Sequence, residues 1–129
     1  MKTKACALIK NGNQILILKR SSSDSDYPNL WDIPSGDVLP DETIKEALIR
    51  EVKEETGLTI KASKFSSVWE EKYKEEYLLG IVFICSVLEN SPTLSEEHEE
   101  FKWIFQEEIS QYNFAYGINE ALLESNLFL

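Results

Sequence analysis

The chain has 129 residues, 43% of them hydrophobic, and 23 acidic side chains against 13 basic ones give it a formal charge of −10. That length bounds a single domain, residues 1–129, able to bury a proper core. The acidic balance argues against duplex DNA or RNA as a partner, because such binding neutralises phosphates with cations, and no apolar run approaches the length of a membrane span.

The opening MKTKACALIK lacks the apolar region and cleavage site of a signal peptide. Cys6 and Cys85 both sit in apolar, strand-like surroundings. Two reduced, buried thiols are expected there rather than a disulfide, which favours the cytoplasm.

Ala5 to Ile9 reads as a strand, and Asn11-Gly12 is a hairpin signal. Gln14 to Arg20 follows as a strand buried on both faces, ending in two cations, Lys19 and Arg20, that read by themselves as edge solvation. The loop SSSDSDYPN alternates Asp24 and Asp26 but lacks the glycine and the terminal glutamate of a calcium loop. Leu30 to Ile33 is a short strand broken by Pro34.

Gly36 to Leu58, GDVLPDETIKEALIREVKEETGL, organises the rest. Ile44, Leu48 and Val52 recur at the spacing of a buried helical stripe, Thr43 and Glu46 form a capping box, and Gly57 stands where a helix-ending glycine belongs. At about 100° per residue, Glu51 and Glu55 fall inside that apolar arc and Glu54 lies beside them. Acidic runs are ordinarily solvated faces, but these carboxylates share the apolar side, in the last turns, where the macrodipole is negative too. Such crowding is expected of a divalent-cation site. Oxygen donors alone, with no His or Cys nearby, indicate a hard ion, Mg²⁺ or Mn²⁺, completed by substrate phosphates. Metal-assisted attack of water on a phosphate chain follows.

Beyond this stretch, Ser67 to Glu75 and Tyr77 to Leu88 read as strands of a hairpin about Glu75-Glu76, with Tyr73 and Tyr77 half-buried on the sheet or touching a ligand. Ser91 to Glu100 is an acidic loop, and His98 within it is expected to be solvated, a weak candidate base. Phe101, Trp103 and Phe105 alternate as the next strand. Gly117 to Ser125 closes as an amphipathic helix with Ile118, Ala121 and Leu122 inward. Strands flanked by helices make an α/β layered domain.

Gly36, Glu42, Arg50, Glu51, Val52, Glu54, Glu55, Gly57 and Leu58 fill every specified position of the pattern G-x5-E-x7-R-E-U-x-E-E-x-G-U, with U bulky and aliphatic. The stretch resembles the Nudix box, and the preceding LWDIPSG resembles the segment that leads into it. One departure is Ser35, where the family commonly has a second glycine.

The resemblance implies a Nudix-type α/β/α sandwich with a mixed β-sheet and a strand-loop-helix-loop catalytic motif. It implies that Gly36, Glu42 and Gly57 shape that motif, with Arg50 paired to Glu42 to orient the ligands. Glu51, Glu54 and Glu55, the Ser35 carbonyl, and a further carboxylate, Glu97 or its neighbour Glu96, would hold Mg²⁺ or Mn²⁺. Glu54 or Glu97 would take the proton from water.

Arg20 would contact phosphate. Trp31 either joins the core or stacks on a base, and Asn113 and Asn119 either cap and turn the chain or read a purine edge. The substrate would be a small-molecule nucleotide, a nucleoside diphosphate linked to another group. The MutT-like branch, acting on nucleoside triphosphates, is the first expectation, and ADP-ribose or a dinucleoside polyphosphate the second. A non-catalytic nucleotide sensor is the contrasting class, although such modules often lose box glutamates. Either a monomer or a homodimer is compatible with the family.

Overall fold

The computed structural model describes residues 1–89 and 91–124. β1 (Lys2–Asn11) turns through Gly12 into β2 (Gln14–Arg20), as Asn11-Gly12 predicts. Two short strands follow, β3 (Trp31–Asp32) and β4 (Ser35–Asp37), then helix α1 (Ile44–Thr56). β5 (Ile60–Tyr73) and β6 (Glu76–Val87) form a long hairpin, and β7 (His98–Phe105) leads through a 3₁₀ turn (Gln106–Gln111) to α2 (Ile118–Glu124).

The sheet is mixed, in the order β3-β2-β1-β6-β5. β1 runs parallel to β6 from Lys2 to Lys10, while its other pairings are antiparallel. β1 and β2 pair only beside their hairpin, at Lys10–Ile15 and Asn11–Gln14, and then separate. β4 takes the edge that β1 frees, at Lys4 to Cys6, and β3 and β7 take the two edges of β2. This fork is what opens room for a site at one end of the sheet.

Alternation along β1 and β2 divides the core into two layers. Cys6, Leu8, Ile15 and Ile17 pack with Ile118, Ala121 and Leu122 of α2. Ala5, Ala7, Ile9, Leu16 and Leu18 pack with Ala47, Leu48 and Val52 of α1. The result is the expected α/β/α sandwich. Both cysteines are buried free thiols, and burial pushes each up to about 12.

Several boundaries differ from the sequence reading. β5 starts at Ile60 rather than Ser67, because bulges between Ala62 and Lys64 and between Phe65 and Ser67 interrupt the alternation that marks a strand. The β5–β6 turn sits at Lys74-Glu75, one residue early, with both residues at positive φ (49° and 66°), as the twist of a tight hairpin demands. β7 begins at His98 rather than Phe101, and the 3₁₀ turn was not expected. The predicted end of α2 at Ser125 lies outside the described residues. Among the described residues no helix is long and apolar enough to cross a membrane.

Candidate active site and metal centre

The site begins with the capping of α1. The Thr43 side chain accepts from the Glu46 backbone N–H (3.1 Å), and Glu46 accepts from that of Thr43 (2.8 Å). At the other end Gly57 adopts φ 73° and donates to the Lys53 carbonyl. Leu48 and Val52 are fully buried, each contributing roughly 1.5–3 kcal/mol. A carboxylate near the negative helix end costs about 0.3–1 kcal/mol, so the apolar stripe holds the helix against its own acids.

Those acids occupy three environments. Glu55 is buried at 5% exposure and accepts from the Ser35 backbone N–H at 3.0 Å. Desolvation, with Asp32 adding repulsion, raises its pKa well above the ordinary carboxylate value. Glu51 is half-buried and its pKa is also raised, by burial that the Arg50 charge only partly offsets. Glu54 is exposed at the rim and does not share the buried arc, which reaches only Glu51 and Glu55.

Arg50 anchors the loop ahead of the helix. Its guanidinium bridges both Glu42 oxygens (3.0 and 2.6 Å), the Asp37 carbonyl (2.9 Å) and Glu51 (2.7 Å). The expected Arg50–Glu42 pair is therefore present. A Cβ at Gly36 would collide with the Glu51 carboxylate, so glycine is what lets β4 run against the acidic face.

A cleft of about 320 Å³ opens above these groups, lined by Ser35, Gly36, Glu51, Glu55 and Glu97 together with Lys4, Arg20, Asp32 and Tyr116. A shallower recess continues over Glu54, Ser95 and Glu96. The loop before β7 is tied to the end of α1, since Thr93 N–H donates to the Thr56 carbonyl (2.8 Å) and Ser95 N–H to that of Glu55 (3.0 Å). Glu97 is brought to Glu55 by these bonds, as the resemblance implied.

Arg20 reaches the cleft from the end of β2, gripped by Asp24 and Asp32 (2.8 Å each) and the Asp26 carbonyl (2.9 Å). Burial alone would lower its pKa, but the charge and hydrogen bond of Asp32 raise it. The Asp24 and Asp26 carboxylates are taken by Arg20 and Lys74, which accounts for their alternation without calcium.

Trp31 and Asn119 do not line the cleft. Trp31 packs on the core, edge-on to Tyr112 at 5.3 Å, and Asn119 is exposed on α2. The Asn113 carbonyl accepts from Trp31 N–H in an isolated parallel bridge that pairs Trp31 with Phe114. Tyr73 is half-buried on the sheet and Tyr77 is exposed.

His98 corrects the sequence reading. It is buried, not solvated, and a ring nitrogen lies 3.0 Å from Asp32, because β7 starts early enough to fold it inward opposite Arg20. Asp32 and Tyr116 were missed. A carboxylate between Trp31 and Ile33 in a core strand was the available signal for Asp32, whereas Tyr116, stacked on Trp69 at 5.2 Å, carried none.

The residues present fit a divalent cation. Glu55, Glu97 and His98 offer ligand atoms within 4.8 Å of one another, and Glu55 is a buried acid whose ionised form lacks a cationic side chain in hydrogen-bond contact among the described residues.

Comparison with known proteins agrees. A model of the NUDIX domain matches residues 2–123. The chain is similar to the nucleoside triphosphatase NudI of Escherichia fergusonii, 27% identical over 132 residues that cover 94% of each protein. It resembles the crystal structure of the MutT protein from Methanosarcina mazei Go1, with a TM-score of 0.85 and 31% identity over 95% of this chain and 90% of that one. An Ap4A hydrolase from C. elegans shares the fold at a TM-score of 0.80 and 22% identity, covering 96% of this chain and 94% of that one. Proteins with different named substrates thus share the architecture, and the family is typically metal-dependent. With the domain model spanning nearly its whole length, the chain belongs to the Nudix family and is a Nudix hydrolase.

Proposed function

We propose that residues 1–129 act as one unit that hydrolyses nucleoside triphosphates, in the manner of the MutT-like branch, to a nucleoside monophosphate and pyrophosphate. The observation that carries this reading is the buried Glu55 close to Glu97 in a cleft that Arg20 and Lys4 also line. The carboxylates would hold Mg²⁺ or Mn²⁺, and the two cations would meet phosphate oxygens. The similarity to NudI supports a triphosphate ahead of ADP-ribose or a dinucleoside polyphosphate.

Glu51, Glu54, Glu55, Glu97 and the Ser35 carbonyl are the proposed ligands. A bound cation supplies charge neutralisation and a more acidic water. Arg50 and Glu42 keep Glu51 oriented, Arg20 and Lys4 orient the phosphate chain, and Glu54, open to solvent, receives the proton of the attacking water. Oxygen from water joins phosphorus as the bridging P–O bond breaks, and pyrophosphate leaves. A reducing cytoplasm suits the two buried thiols.

The test is a panel of nucleoside triphosphates, ordinary and oxidised, with ADP-ribose and a dinucleoside polyphosphate, assayed with Mg²⁺ and with chelator. Metal-dependent release of pyrophosphate from a triphosphate is the expected result. No turnover across the panel would leave the nucleotide-sensor reading standing instead.

A further inference from the structure

We propose that His98 makes this a mixed nitrogen–oxygen metal site, in which Glu55, Glu97 and the His98 ring together bind a first-row transition ion such as Mn²⁺ or Co²⁺ in preference to Mg²⁺. Oxygen donors alone would favour hard ions, and an imidazole nitrogen shifts the balance towards borderline ones.

Three observations carry this. First, the His98 side chain is 2% exposed, and its ligand atom lies within 4.8 Å of those of Glu55 and Glu97. Second, its two nitrogens are used differently. Nε2 is 3.0 Å from Asp32 Oδ1, whereas Nδ1 is buried with no hydrogen-bond partner among the described residues. Asp32 also accepts from Arg20 at 2.8 Å, and a carboxylate so paired can only accept from the ring. Nε2 therefore donates to Asp32, and Nδ1 is the nitrogen left without a partner among the described residues. A buried nitrogen without a partner is costly unless something binds it.

Third, the arrangement behind the ring is that of a metal-binding histidine, whose other ring N–H donates to a carboxylate that fixes tautomer and orientation. The backbone is built to give that pose. A register shift between Lys19 and Arg20 sets Arg20 opposite His98 instead of Glu99, and both side chains converge on Asp32. The displaced Glu99 accepts from the Ser22 backbone N–H at 2.7 Å.

The inference shares Glu55 and Glu97 with the proposed hydrolase function and so rests partly on it, but binding can be read without nucleotide. Full-length protein labelled with ¹⁵N-histidine is titrated with Mn²⁺ and examined by pulsed EPR, alongside calorimetry with Mn²⁺, Co²⁺ and Mg²⁺. Histidine nitrogen coupling to bound Mn²⁺ is expected. In His98→Asn the coupling should vanish and Mn²⁺ and Co²⁺ affinity fall about 10–100-fold, with a smaller loss for Mg²⁺.

A thermal melt of His98→Asn establishes that it folds, and the wild-type coupling measurement decides the matter if it does not. Absence of nitrogen coupling in the wild type, or equal losses for all three ions in a folded variant, overturns the inference. Mg²⁺-supported turnover without nitrogen coupling defeats this inference alone. Coupling without turnover on any nucleotide defeats the proposed function alone.

Discussion

Arg50 holds Glu42 with two parallel hydrogen bonds, 3.0 and 2.6 Å long, across eight residues of sequence, fastening the loop that enters α1 to the helix itself. The same guanidinium reaches Glu51 and the Asp37 carbonyl, so one planar fork sets both a loop and a proposed ligand. A lysine keeps the charge but not the fork. Arg50→Lys should therefore lower kcat/KM about 10–100-fold with Mg²⁺, as loss of a ligand-orienting partner does. The melting midpoint should move little, because the pair is partly solvent-screened. Steady-state kinetics and a thermal melt check both halves.

Glu55 should cost stability in the metal-free protein. Its folded pKa is raised by burial first and by Asp32 second. An acid whose pKa rises on folding favours the folded state while protonated, and that contribution is lost as pH climbs through the folded value. Glu55→Gln, neutral throughout and still able to accept from Ser35, should melt higher than the wild type in chelator at neutral pH. The gap should close as pH falls towards the ordinary carboxylate value of about 4.5. Added Mg²⁺ should raise the wild-type midpoint and barely move the variant, which should also have lost hydrolysis. Melts at several pH values, with and without metal, test the sign. A variant no more stable than the wild type in chelator would contradict it.

The parts of this site that were readable in sequence are local. Thr43, Glu46 and Gly57 sit at fixed offsets from one helix, so spacing implied the caps, and the Glu42–Arg50 pair was implied by the resemblance of that same local stretch to the Nudix box. Asp32 and His98 are 66 residues apart and meet only because β3 and β7 flank β2 on opposite edges. No periodicity encodes that. His98 looked solvated because its sequence neighbours are glutamates, yet Glu97 and Glu99 are exposed while His98 turns inward at the first position of β7. Glu54 errs the other way. It lies close to the apolar arc in angle, but the helix ends two residues later, at Thr56, and its carboxylate reaches solvent.

Gly57 is a test of backbone geometry with little packing to confuse it. At φ 73° it ends α1, and an added Cβ would meet only Thr93 at ordinary contact distance. Gly57→Ala should thus register left-handed backbone strain alone, about 1–2 kcal/mol. That corresponds to a drop of roughly 3–10 °C in the melting midpoint. The loop carrying Glu97 bonds to the adjacent Thr56 and Glu55 carbonyls, so metal affinity should also weaken. A melt and a Mg²⁺ titration measure the two effects separately.

Glu54 and Glu97 compete for the role of base, and their surroundings separate them. Glu97 faces Glu55 across ligand atoms within 4.8 Å, where a shared cation would claim its lone pairs. Glu54 has 59% of its side chain exposed and, among the described residues, only a 3.4 Å contact to Arg50, so its second oxygen is open to a water in the recess. A base needs an unclaimed oxygen within hydrogen-bond reach of the water it activates. Glu54→Gln should then lose about 10²–10⁴ in kcat while metal affinity falls modestly. Glu97→Gln should show the opposite pattern, weaker metal binding with activity partly restored at high metal concentration. Rescue of Glu54→Gln by excess metal, with no rescue of Glu97→Gln, would exchange the two assignments.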